Sequence, residues 1–276
     1  MGTDLDLPAY FARLGYTGPA DPTLPVLREL CARHVSQIAF ECLDPFLGLP
    51  VDLDPATVHA KLVRARRGGY CHEHNALFHD VLAAMGFSVV ALGGRVVWAF
   101  NGQPAPLTHR LTLIRLPEGR FIADVGFGGQ SPTAPLRLEH GLEQATPHGT
   151  YRIAHNGEAF GLQLRLEDRW QTMYEFTLVP QAHVDFEVAN WFTSTHPRSL
   201  FTQNLIVCRV IGDTRVNLFN ANLSVRHPDG HVEPGVVADA TELGKLLEDV
   251  MGLELPAPAD IIWTKAARRL GSLGPM

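Results

Sequence analysis

The chain reads as an α+β protein in three parts: helical over 1–86, β-rich over 87–190 and mixed α/β over 191–276. Three observations carry that reading. Apolar residues recur at helical spacing in the first third, the period shortens to that of strands from Ser88, and strand-like and helix-like stretches alternate after residue 190. With 276 residues, 46% hydrophobic and 19% charged, the chain is long and apolar enough to bury a sizeable core.

In "DPTLPVLRELCARHVSQI", Leu27, Leu30, Cys31, His34, Val35 and Ile38 share one helical face behind a Pro-rich start. "LDPATVHAKLVRARRGG" repeats the design, with Asp54 as N-cap, Pro55 at the first helical position and Gly68 as stop. "CHEHNALFHDVLAAMGF" is a third helix, with Leu77, Phe78, Val81, Leu82 and Met85 on its apolar face and Gly86 at its end.

The middle segments "SVVALGGRVVWAF", "LTHRLTLIRL", "RFIADVGF", "YRIAH", "FGLQLRL" and "RWQTMYEFTLV" are short and rich in β-branched and aromatic residues. Turn-like "NGQPAP", "PEG", "HNGE" and "ED" separate them, the pattern of an antiparallel barrel or sandwich. Later, "NLIVCRVIG" and "RVNLFNANLSVRH" read as strands. "DATELGKLLEDVMGL" reads as a helix with Asp239 and Glu242 in a capping box, and "ADIIWTKAARRL" as another helix.

A net charge of −6, a pI near 6.1 and the lack of a basic run argue against nucleic acid as a partner. No apolar run approaches the ~18 residues of a membrane span, and "MGTDLDLPAYFARLGY" lacks the basic and apolar regions of a signal peptide. The four cysteines, Cys31, Cys42, Cys71 and Cys208, are scattered with no C-x-x-C, which points to a reducing, cytoplasmic setting.

Cys71 stands where the turn at Gly68 and Gly69 delivers the chain into a helix. Unpaired N–H groups and the macrodipole at a helix N-terminus favour an anion, and so a reactive thiolate. Against this, most free cysteines are inert, buried small hydrophobes, and Cys31, Cys42 and Cys208 fit that description within their apolar patterns.

A thiol nucleophile needs a base and a group that orients the base. In "PLTHRLTLI", His109 alternates in phase with Leu107, Leu111 and Leu113, and in "FIADVGFGG", Asp124 is in phase with Ile122. Both would then face inward, where a carboxylate needs a partner. A self-satisfied His–Asp pair inside a barrel is the plainer explanation for either residue alone. A simple hairpin at "PEG" leaves the two on one face but displaced by about four residues, on the order of 13 Å. Contact therefore calls for a bulge or bend, for which Gly126, Gly128 and Gly129 are candidates.

Cys71, His72, His74 and His79 invite a metal reading, since zinc accepts thiolate and imidazole. Their spacing matches no zinc pattern and no second cluster follows, so no metal is expected. His72 and His74 read as solvated or supporting residues, and Glu73 and Asn75 as caps or braces of the loop.

"RRGGYCHEHN", "THRLTLI" and "IADVGFGGQ", in that order, resemble the arylamine N-acetyltransferases, especially their bacterial, mycobacterial-like branch. "DPTLPVLRELCARHVSQIAFECLDPFLG", "WQTMYEFT" and "STHPRSLF" extend the likeness over nearly the whole chain. The resemblance implies a helical bundle, an antiparallel β-barrel and an α/β lid, with a cysteine-protease-like triad of Cys71, His109 and Asp124. It also implies acetyl-CoA as acetyl donor, arylamines or hydrazines as acceptors, a role in xenobiotic metabolism, and no membrane partner; a homodimer is left open. The loop "GFGGQ", with Gly128, Gly129 and Gln130, is implied for the CoA and substrate cleft together with Thr108. Phe40, Trp98, Phe127 and Phe201 are candidate walls for a flat aromatic amine, although single aromatics are more often core than pocket. Two positions depart from the family: Cys42 in "AFECL" replaces a common asparagine, and His72 stands where an aromatic is common.

The expected chemistry is ping-pong acyl transfer through an acetyl-cysteine. A thiol hydrolase or transglutaminase-like enzyme using the same three residues is the first alternative. A β-barrel binding module with a degenerate triad is the second.

Overall fold

The computed structural model describes residues 5–98 and 105–268. In the first third, Asp6 accepts a hydrogen bond from the Ala9 N–H and opens α1 (Leu7–Leu14), which Gly15 closes in the left-handed conformation. The long α2 (Leu24–Gln37) buries the expected face, Leu27, Leu30, Cys31, His34 and Val35 included. A short β1 (Phe40–Glu41) and α3 (Leu43–Leu47) follow. Asp54 caps α4 (Pro55–His59) by accepting from the Ala56 and Thr57 N–H groups. That helix runs on only through one π turn to Arg64 and stops before Gly68. Gly68 serves close approach instead, because a Cβ there would collide with the Ala39 carbonyl. The third helix of the bundle, α5 (Cys71–Ala84), is followed by Gly86 at φ +86°.

The middle third is one eight-stranded antiparallel sheet built from β2 (Ser88–Val96), β3 (Leu107–Leu116), β4 (Gly119–Ala123), β5 (Leu136–Arg137), β6 (Gln144–Thr146), β7 (Gly149–His155), β8 (Phe160–Leu166) and β9 (Arg169–Pro180). Its order is β5-β4-β3-β2-β9-β8-β7-β6. The two edge strands meet through Gln144, whose amide accepts from the Arg137 N–H at 2.7 Å and donates to the Arg137 carbonyl at 3.0 Å. The sheet is thus a nearly closed barrel rather than a sandwich. The turn expected at "NGQPAP" lies largely outside the described residues, as do the ends of "SVVALGGRVVWAF" and "ADIIWTKAARRL".

Leu92, Leu111, Leu113, Ile122, Tyr151, Ile153, Leu162 and Tyr174 fill the barrel interior. Ile114, Ala123 and Val125 instead join the core made by α1, α2 and α5. Because one face of β3 fills the barrel and the other meets helices, the strand is buried on both faces. Two helices not expected from the sequence, α6 (His183–Thr195) and α7 (Leu200–Gln203), lead into the last part.

There β10 (Ile206–Ile211), β11 (Thr214–Phe219), β12 (Asn222–Arg226) and β13 (Val232–Val236) form an antiparallel sheet that β1 extends, in the order β1-β10-β11-β12-β13. The chain ends on α8 (Ala240–Lys245), a π turn over 246–250 and α9 (Ala259–Ala267). Asp239 caps α8 as expected, but Glu242 reaches the Ala238 N–H rather than closing the box on Asp239. β1 also bridges Gly69, so the C-terminal sheet continues to within two residues of Cys71. No helix among the described residues is long and apolar enough to cross a membrane.

Candidate active site

Cys71 is the first residue of α5 and is 5% exposed. The helix start is built from its neighbours: the Tyr70 N–H donates to Glu73 Oε2 at 3.1 Å, and Lys61 Nζ lies 2.6 Å from Glu73 Oε1. Lys61 and Arg67 also pair with the buried Asp44, and Arg67 with Glu41. Two cations and three carboxylates therefore fix the turn that carries Cys71. This network was not anticipated, because its members are spread from 41 to 73 with no motif spacing. Glu73 is the predicted cap, while Asn75 is a brace.

His109 projects from β3 into the barrel and is bonded to Asp124, with Nε2 and Oδ2 2.7 Å apart. That bond leaves Nδ1 free to face Cys71, whose side chain is close enough to help raise the His109 pKa. The Cys71 sulfur lies 3.7 Å from the Thr108 carbonyl. The three residues picked out from the sequence thus converge.

The bend needed for contact differs from expectation. Thr112 pairs with Ala123 and Leu116 with Gly119, so the position opposite His109 is 126 and the offset to Asp124 is two residues, not four. That is about 7 Å along the strand. Asp124 closes the distance because β4 ends at Ala123 and the chain turns out of the sheet. The bulge itself lies in β2, where the register shifts between Gly94 and Arg95, directly across from His109. A Cβ on Gly94 would stand 3.5 Å from the imidazole, an ordinary contact, so the bulge sits directly against the His109 ring.

Asp124 is completely enclosed and held by three donors: His109, the Asn75 amide at 2.9 Å and the Gly126 N–H at 3.0 Å. Burial alone would raise its pKa, but the His109 charge and these hydrogen bonds hold it below the usual carboxylate range. For His109, burial is likewise outweighed by the Asp124 charge and bond and by Cys71, and its pKa is raised. Both shifts, Asp124 lowered and His109 raised, favour a carboxylate–imidazolium pair.

His72 and His74 are not solvated; both are fully buried. His74 ends a chain of bonds whose polarity, with both rings neutral, is set by the Ala39 carbonyl. The Tyr10 hydroxyl donates to His34 Nδ1, His34 Nε2 donates to His74 Nδ1, and His74 Nε2 donates to the Ala39 carbonyl. Only neutral rings satisfy that sequence, and burial lowers both pKa values accordingly. Among the described residues no three or more His, Cys, Asp or Glu side chains converge as a metal site requires.

The aromatic candidates fall into two groups. Phe127 packs on His109 and Tyr174 with ring centroids 5.5 and 5.6 Å away, and Trp98 packs on Phe127 at 6.4 Å. Phe40 and Phe201 pack on each other at 6.1 Å, beside Tyr70. Phe40 is a buried core residue, whereas Phe127, Trp98 and Phe201 keep partial exposure. Gly128 joins the groups, since a Cβ there would stand 3.4 Å from the Phe40 ring. The loop that holds Phe127, Gly128, Gly129 and Gln130 turns at Gly128, whose carbonyl accepts from the Ser131 N–H at 2.9 Å. Tyr174, whose ring centroid is 4.7 Å from that of His109, was not singled out beforehand, although it lies within "WQTMYEFT". Cys42 bridges parts of the chain, its thiol donating to the Asn204 carbonyl and accepting from the Ile206 N–H, each at 3.2 Å.

Residues 23–260 match a family model described as N-acetyltransferase. The chain is 45% identical over 256 residues to the arylamine N-acetyltransferase of Mycobacterium tuberculosis, covering 91% of this chain and 90% of the relative. It is 41% identical over 248 residues to an arylamine N-acetyltransferase / N-hydroxyarylamine O-acetyltransferase of Salmonella typhimurium, covering 90% and 88% of the two chains. The structure of Mycobacterium marinum arylamine N-acetyltransferase in complex with CoA superposes with a TM-score of 0.91 at 41% identity, covering 95% of this chain and 99% of that one.

Proposed function

The chain belongs to the arylamine N-acetyltransferase family, and we propose that it moves an acetyl group from acetyl-CoA to the nitrogen of arylamines or arylhydrazines by way of an acetyl-cysteine on Cys71. The observation that carries this reading is the convergence of Cys71, His109 and Asp124, with the imidazole bonded to the carboxylate at 2.7 Å and raised in pKa by both neighbours.

In the first half-reaction the Cys71 thiolate attacks the thioester carbonyl. The tetrahedral oxyanion then collapses, and CoA departs with the proton that His109 held. The N–H groups of Cys71 and His72 open α5 and have no acceptor within the helix, so they are available to the oxyanion. In the second half the amine nitrogen attacks the acetyl-cysteine. His109 takes the proton from nitrogen, and the thiolate is regenerated. Asp124 keeps the ring oriented with Nδ1 toward sulfur in both halves. Phe127 and Trp98 offer apolar faces to the acceptor ring beside His109. The loop from Phe127 to Gln130 borders the cleft in which acetyl-CoA and acceptor bind in turn.

Intact mass after mixing with acetyl-CoA alone tests the reading. One acetyl adduct is expected, absent in Cys71→Ala and discharged on adding an arylamine. Failure to form any adduct would sink the proposal. An adduct lost rapidly in water alone would assign a thiol hydrolase instead.

A further inference from the structure

Residues 124–131 are held at two separate places. At the first, Asn75 of α5 and the Gly126 N–H fix Asp124. At the second, the loop lies on the C-terminal sheet, and one buried side chain dominates the contact. Arg215 of β11 is 3% exposed and pairs with no carboxylate among the described residues. Its guanidinium donates to the Gly129 carbonyl at 3.2 Å, the Ser131 carbonyl at 2.8 Å, the His148 carbonyl at 3.1 and 3.2 Å, and the Tyr151 hydroxyl at 3.0 Å. The Tyr151 hydroxyl in turn donates to the Gln130 carbonyl at 3.1 Å. The Gly129 N–H points at the Cys208 sulfur on β10. A Cβ there would meet the Asn217 side-chain amide, which would have to move aside.

The carbonyls of Gly128 to Ser131 are all satisfied inward, against the protein. A buried cation neutralised only by carbonyl dipoles is a costly arrangement for holding a surface loop, because burying a charge is expensive unless its donors are all used. Two of the Arg215 bonds, to Gly129 and Ser131, and a third relayed through Tyr151 to Gln130 hold the turn immediately following Phe127, the ring that packs on His109.

We propose that Arg215, with Tyr151 as its relay, is a positioning residue that sets the Phe127–Gln130 loop for acetyl-CoA and acceptor binding, separately from the Asn75 anchor that sets Asp124 for proton transfer. This rests on the reading that the loop borders the ligand cleft. The C-terminal sheet then governs ligand affinity although it contributes no group to the chemistry.

The test compares wild type, Arg215→Lys, Arg215→Met and Tyr151→Phe, each with a thermal unfolding midpoint, KM for acetyl-CoA and for an arylamine, and the pH profile of single-turnover acetylation. Arg215→Met is expected to raise both KM values about tenfold, the scale of one lost charged hydrogen bond. Its saturating acetylation rate should stay within about threefold of wild type on an unmoved pH profile. Arg215→Lys keeps the charge without the fork and should fall between, and Tyr151→Phe should move the same way by less. Folded variants with wild-type KM values overturn the proposal, as does a loss confined to the saturating rate with a shifted pH profile. Should both Arg215 variants fail to fold, Tyr151→Phe decides by the same criteria. A wild-type protein that takes no acetyl group overturns the functional reading itself, a result distinct from an acetylated wild type whose variants behave identically.

Discussion

Asn75 and Asp124 are joined across 49 residues by a 2.9 Å bond from the Asn75 amide to Oδ1, the carboxylate oxygen opposite the one His109 uses. The same amide donates to the Arg110 carbonyl at 2.6 Å, and its oxygen accepts from the Val125 N–H at 3.0 Å. One side chain on the helix that begins at Cys71 therefore ties together the strand of His109 and the loop of Asp124. Replacing it leaves Asp124 in place but short of a donor. Asn75→Ala should lower the saturating rate about tenfold or more, and the less neutralised Asp124 carboxylate should hold the His109 proton more tightly, seen as an alkaline limb of the pH–rate profile at higher pH. An unchanged profile in single-turnover acetylation would show that Asn75 acts on stability alone.

Stability should depend on pH from both sides. Burial lowers His74 to about 4 and His72 to about 3 in the folded chain, against 6.5 for an ordinary histidine. Between those values the unfolded chain binds protons that the folded chain refuses. The stabilisation from these rings is thus complete above 6.5 and is lost as pH falls toward 4 and 3. Each contributes a slope of about 1.4 kcal/mol per pH unit within its window. His109 has the opposite sign: its pKa is raised, so its contribution is full below 6.5 and declines as pH rises toward the folded value. Urea midpoints from pH 4.5 to 9 should peak near 6.5, and a flat profile would contradict the assignment of neutral rings to His72 and His74.

His72 isolates one part of that slope. Its ring packs edge-on to Tyr70 at 5.5 Å and lies 6.3 Å from Phe186, and Thr108 supplies its one backbone interaction. A buried imidazole among aromatic rings with a single weak polar partner gains little from its polarity. His72→Phe should be at least as stable at neutral pH, by up to about 1–3 kcal/mol, and should remove one proton from the acid slope. Chemical denaturation at pH 5 and pH 7 measures both.

The sequence made the chemistry legible and the scaffolding around it only partly so. Cys71, His109 and Asp124 announced themselves through the glycine turn, the strand phase and the family motifs. Local rules also placed Asp54, Gly86 and the strands β3 and β8. What escaped them depends on distant partners. The polarity of "CHEH" suggested solvent, yet both histidines are buried, one inside a bonded chain and one among aromatic rings. Arg215 lies within an ordinary strand pattern, and only the packing of β11 beneath the glycine loop gives it work. The helix α6 was missed because its face is mixed, with Val188 and Trp191 exposed and Phe186 and Asn190 buried.

The ion cluster under the nucleophile turn should be intolerant of losing either cation. Lys61 lies 2.5 Å from Asp44 and 2.6 Å from Glu73, and among the described residues it is the partner of Glu73 Oε1. Removing one member of a buried pair leaves an uncompensated charge. Lys61→Met should cost about 3–5 kcal/mol in urea unfolding, whereas pairing it with Glu73→Gln should recover part of the loss. A Lys61→Met protein with unchanged stability would mean that solvent reaches the cluster.

Gly126 offers the sharpest local test, because its requirement is for space rather than for a special dihedral. A Cβ there would sit 2.8 Å from the Asn75 amide nitrogen, 3.0 Å from the Cys71 Cα and 3.0 Å from the His74 Cβ. Two of those atoms belong to rigid parts of α5, so the loop rather than the helix must give way. Retreat by a few tenths of an ångström lengthens the Gly126 N–H bond to Asp124 and pulls the carboxylate away from His109. Gly126→Ala should therefore reduce the saturating rate by about 10- to 100-fold, since misplacement on the 1 Å scale costs about that much. Gly161→Ala is the matched control: the Thr172 methyl would be 3.4 Å from its Cβ, an ordinary contact in β8 far from the site, and its rate should equal wild type. Equal rates for both variants would mean that the Asp124 loop is not held against α5 as tightly as the three contacts require.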